Sequence, residues 1–173
     1  EDGNDAGLVQ LMPGVKSYSD WTEITLPFTS RGGSTYGFFF SQYNAAASIY
    51  IDNFKVLDAD GNDMLEGAGS FCTEGTGEET NKMQQPYDGE TEDYWYRTWL
   101  SGADTSVRFI EIAESGCNDN GSLHIVNKPT EKQGDMRVGF KKTIPAGAYT
   151  LQFNIKGSLK LADQQFYFKE SGQ

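Results

Sequence analysis

From Tyr149 to Lys156 the sequence alternates without a break: Tyr149, Leu151, Phe153 and Ile155 are apolar, and Thr150, Gln152, Asn154 and Lys156 between them are polar. Successive side chains of an extended chain point to opposite faces, so this period places four apolar groups on one side of a strand and four polar groups on the other. The same period runs through Trp21 to Phe28, where Thr22, Ile24, Leu26 and Phe28 share a face opposite Trp21, Glu23 and Thr25. Further runs rich in aromatic and β-branched residues predict strands over 34–43, 47–58, 105–115, 121–127, 134–143 and 163–170. Each is bounded by Gly, Asn, Asp or Pro, and 20 glycines fit the many turns this requires. Eight short strands predict an all-β fold, a two-sheet antiparallel β-sandwich with the strand count of a jelly roll. A chain of 173 residues buries a sufficient core as one such domain.

The formal charge of −11 gives a field that repels phosphate backbones and anionic lipid, which disfavours nucleic acid and membrane surfaces as partners; neutral sugars remain compatible. No run of 18 apolar residues occurs, which argues against membrane insertion, and the opening EDGNDAG has neither the basic nor the apolar region of a signal peptide, so the chain reads as an excised piece. Thr73 to Asp93 holds seven acidic residues, three glycines and a proline, the composition of a long surface loop. Asp58 to Asp63 (DADGND) resembles a calcium loop but lacks the closing Glu of an EF-hand, so a tight turn is expected. Cys72 and Cys117 lie 45 residues apart, which fits no zinc spacing and leaves a single disulfide open.

Two pieces of the chain resemble the halves of a carbohydrate-binding module of the family 4 and family 22 type, a jelly-roll group found with bacterial xylanases and glucanases. Ser48-Ile49-Tyr50-Ile51-Asp52-Asn53-Phe54-Lys55-Val56 resembles the strand that normally ends such a module. Gly69-Ser70-Phe71, Trp99, Gly121-Ser122-Leu123 and Gly147-Ala148-Tyr149-Thr150-Leu151-Gln152-Phe153-Asn154-Ile155-Lys156 resemble pieces of its N-terminal half. The order is swapped: residues 1–66 are similar to the C-terminal half and residues 67–173 to the N-terminal half of one module. A circular permutation or a cut across tandem repeats would give this order. The permutation is preferred, because the halves together neither repeat nor omit a strand.

The resemblance implies a secreted, monomeric, non-catalytic module that binds xylan or a related β-glycan in a concave cleft and tethers a covalently linked glycoside hydrolase to it. Pyranose rings need flat apolar platforms, with amide and guanidinium groups at their edges. By alternation the expected sugar contacts are Phe39, Arg137, Gln152, Asn154 and Tyr167, with Tyr43 at a strand end. The cluster Tyr94-Trp95-Tyr96 after the acidic stretch offers Trp95 or Tyr96 as a further platform, while Trp21 and Trp99 are expected to pack at the sandwich edge. A structural calcium in such modules implies Asp52 as a ligand; its usual Glu partner is Cys72 here, a poor donor for a hard cation, which shifts the expected second ligand to Glu74. An adhesion sandwich that binds protein is the alternative, and a small glycanase or lyase a remoter one. His124 has no GxSxG or HExxH motif beside it, and Glu111 and Glu114 point to opposite faces of one strand.

Overall fold

A computed structural model describes residues 6–12, 17–42, 47–71, 95–100, 108–113, 115–118, 121–127, 134–159 and 165–171. They form strands β1 (Leu8–Gln10), β2 (Ser17–Ser30), β3 (Thr35–Gln42), β4 (Ala47–Leu57), β5 (Trp95–Leu100), β6 (Arg108–Ala113), β7 (Ser122–Asn127), β8 (Gly134–Lys141), β9 (Gly147–Leu159) and β10 (Gln165–Ser171), with one turn of 3-10 helix at Ala68–Ser70. The first sheet has the order β1-β10-β3-β8-β5 and the second β2-β9-β4-β7-β6. Every neighbouring pair is antiparallel, so the expected two-sheet antiparallel sandwich is present. Consecutive strands change sheet at each step except β6 to β7.

Among the described residues ten strands stand where eight are expected. β1 has three residues, too few to display a period. In β5 the alternation is interrupted by a register irregularity between Arg97 and Trp99. β1 lies antiparallel against β10 with Leu8 opposite Lys169, so the head and tail of the chain meet at one edge of the first sheet. The acidic stretch Thr73–Asp93 and Cys72, and with Cys72 the disulfide, lie outside the described residues.

The faces predicted by alternation are those observed. Leu151, Phe153 and Ile155 are fully buried, and Phe28 joins them from β2. Tyr36, Phe38, Phe166 and Phe168 face them from the first sheet. Phe54 fills the centre, 4.8 Å from both Phe38 and Phe168 between ring centroids. It reaches the core because β4 changes phase: Ile49 and Ile51 point inward, then a bulge between Asp52 and Lys55, with Asn53 at a φ of 49°, turns Phe54 and Val56 inward as well. The bulge frees the Asn53 N–H from the ladder, and the Asp52 carboxylate accepts it. Gly69 packs directly on the Phe54 backbone, where a Cβ would collide with its carbonyl. Ala68–Ser70 there forms a single turn of 3-10 helix, with Phe71 just beyond it.

The DADGND segment is a turn, as expected. Asp58 accepts the N–H groups of Asp60 and Asn62 and the Asn62 side-chain amide, and Gly61 takes the positive φ. These bonds stabilise the charged form and hold the Asp58 carboxyl below its ordinary range.

Candidate functional site

The register of the first sheet aligns one residue from each strand into a row: Gln10, Tyr167, Phe39, Arg137 and Trp99. Residues directly opposite in antiparallel strands share a face. Phe38, Phe166 and Phe168, the chain neighbours of Phe39 and Tyr167, are buried, so this row lies on the outer face; Phe39 and Tyr167 are half-buried there. The adjacent row reads Leu8, Lys169, Gly37, Gly139 and Tyr96. Two glycines opposite each other leave the centre of that row without side chains. In the register this is a gap, or trough, in the layer of side chains beside Phe39 and Tyr167, between the Lys169 and Tyr96 positions. Exposed Lys169 holds its Nζ 5.9 Å from the Phe39 ring centroid, within cation–π range.

The outer face of the second sheet is built differently. Tyr50 stacks on His124 with centroids 3.9 Å apart and planes 7° from parallel, and Trp21 meets Tyr50 edge-on at 6.4 Å. His124 shares hydrogen bonds of 3.0 Å with Ser48 Oγ through Nε2 and with Glu111 Oε1 through Nδ1. Asn154 accepts a hydrogen bond from the Asn53 amide at 3.1 Å.

Of the expected sugar contacts, Phe39, Tyr167 and Arg137 are brought together in one cross-strand row. Gln152 and Asn154 are not: β9 belongs to the second sheet, where Gln152 lies opposite Thr25 and Lys55, and Asn154 opposite Glu23 and Asp52. The expectation that all five line one cleft is therefore corrected. Alternation assigns a residue to the inside or outside of the sandwich, but not to one outside or the other. The register separates Trp95 from Tyr96: Trp95 lies opposite Phe140 in the row of buried Tyr36, and Tyr96 opposite Gly139 in the trough row. Tyr43 and Glu74 lie outside the described residues. Lys169, Gly37, Gly139 and Trp99 were not singled out as contacts; Trp99 joins the row because the β5 irregularity changes its phase. Trp21 and Trp99 do stand on sandwich edges, on β2 and β5.

Asp52 is fully buried, and each oxygen of its carboxylate accepts a backbone N–H at 2.6 Å, from Asn53 and from Cys117. These two bonds give the carboxylate a structural role. Among the described residues no three His, Cys, Asp or Glu side chains gather as a metal site.

These features define a two-sheet β-sandwich with a cross-strand aromatic row on one outer face. No protein-family model matches the chain, and no curated protein and no solved structure matches it either.

Proposed function

We propose that this protein is a non-catalytic carbohydrate-binding module that holds a plant β-glycan, xylan foremost, on the outer face of the first sheet and anchors a covalently attached glycoside hydrolase to its substrate outside the cell. The observation that carries this reading is the row Tyr167–Phe39–Arg137 beside the Gly37–Gly139 trough. Two aromatic side chains give the C–H faces of pyranose rings an apolar seat, and the trough lets the chain settle against the backbone. Tethering then raises the local substrate concentration without any chemistry of its own. The reading includes a jelly roll with permuted halves. Support comes from the alternation of successive strands between the two sheets.

A catalytic reading has one observation in its favour, since Ser48, His124 and Glu111 line up as nucleophile, base and carboxylate. What surrounds Ser48 weighs against it. β4 pairs with β7 and β9 on both sides at this position, so its N–H groups are committed to the sheet and receive no oxyanion. The three side chains tie β4, β7 and β6 together instead.

The test is affinity electrophoresis of the intact chain through gels holding xylan, mixed-linkage β-glucan or no polymer. Retardation by a β-glycan is expected, with no reducing sugar released on prolonged incubation. Free migration through every polymer, joined to capture of a matrix protein, would replace the glycan reading with the adhesion one.

A further inference from the structure

We infer that the face of the first sheet prefers an acidic, uronic-acid-bearing β-glycan to a neutral one, an inference that rests on the glycan-binding reading above. The chain carries 25 acidic residues against 14 Lys and Arg, yet the outer positions of β10 and β8 are occupied by Lys169, Arg137 and Lys141. Lys169 and Arg137 lie directly next to the aromatic row, Lys169 over the Phe39 ring and Arg137 opposite it in register. On these two strands the one acidic residue at an outer position is Asp135, at the far end opposite Ser41.

The nearest acid in sequence does not neutralise this patch. Glu170 follows Lys169, but the pleat turns it inward, where it is buried and accepts the Arg31 N–H at 2.9 Å. Gly33 makes this possible, because a Cβ there would overlap the Glu170 side chain. Among the described residues Lys169 has no carboxylate within ion-pair distance. A chain of this overall charge repels a polyanion at long range, so short-range cations beside the ring-stacking row are what would admit one. A carboxylate on the sugar meets an ammonium on one side of Phe39 and a guanidinium position on the other, the donors that bind carboxylates most strongly.

The experiment compares native glucuronoxylan with the same polymer after carbodiimide-activated borohydride reduction converts its uronic acids to neutral sugars. Affinity electrophoresis should show the native polymer held about tenfold more tightly. Lys169→Met, which keeps the apolar stem and removes the charge, should bring the ratio of native to reduced affinity close to one. Equal affinity for native and reduced polymer would overturn the preference and leave the glycan reading standing. Failure to bind either polymer would overturn both.

Discussion

The two outer faces of this sandwich obey the same alternation and end in opposite conditions. On the second sheet the aromatic and polar side chains satisfy one another: Trp21 meets Tyr50, Tyr50 covers His124, and His124 bridges Ser48 and Glu111. On the first sheet the aromatic row borders two opposed glycines, and an exposed lysine stands over one ring with no carboxylate beside it among the described residues. A face whose groups are mutually paired contributes to stability. A face that leaves a trough beside half-buried rings keeps apolar surface for something else to cover.

The largest expected effect follows directly. Replacing Phe39 and Tyr167 together by alanine should weaken xylan binding by about ten- to a hundredfold, the equivalent of roughly 1–3 kcal/mol of lost ring contact, in a protein that still unfolds cooperatively. Calorimetry and denaturant titration on the same samples check both halves. Tyr50→Ala on the other face should do the reverse, lowering stability by about 1–3 kcal/mol while affinity stays within twofold. If Tyr50→Ala cost affinity and spared stability, the two faces would have exchanged roles.

A subtler effect tests the trough itself. Gly37→Thr fills it from the centre of β3, at a position with no positive φ. Threonine suits a strand better than glycine by up to about 1 kcal/mol, so the protein should be as stable or more so, yet bind xylan several-fold less tightly. Unchanged affinity in a folded Gly37→Thr protein would remove the trough from the account.

How much of this was legible in the sequence depends on the kind of signal. The strands from Trp21 to Phe28 and from Tyr149 to Lys156 were plain, because a period of two over eight residues has few other meanings. The phase change at Asp52–Asn53 was not, since a bulge leaves no mark in composition, and neither do the bonds by which Asp52 caps the freed N–H of Asn53 and holds that of Cys117. Gln152 and Asn154 were assigned correctly to the outside but not to the right outside, because only the sheet order separates β9 from β3, β8 and β10. For the same reason the juxtaposition of Gly37 with Gly139, about a hundred residues apart, was out of reach before the pairing was known.

Two smaller predictions concern the frame that both faces share. Asp52→Asn should destabilise by about 1–3 kcal/mol, because an amide cannot accept two N–H groups as the carboxylate does. Should added calcium raise the melting temperature of the parent but not of Asp52→Asn, Asp52 would be reassigned as a ligand. Tyr36 is buried, and burial raises its phenol above the ordinary value; hydrogen bonds to the Gly33 and Ile144 carbonyls hold the hydroxyl. The folded state favours the neutral phenol, so this contribution is whole below about pH 10 and is lost as pH rises through the elevated folded value. Alkaline denaturation should therefore flatten in Tyr36→Phe, at a cost near neutrality of about 1 kcal/mol.

Amide chemical-shift mapping separates the two faces most directly. Titrating the isotope-labelled protein with a xylo-oligosaccharide should move resonances of β3, β8 and β10 around Gly37, Phe39, Arg137, Gly139 and Tyr167, and leave those around Tyr50 and His124 in place. Shifts centred on Tyr50 and His124, with the first sheet silent, would contradict the account.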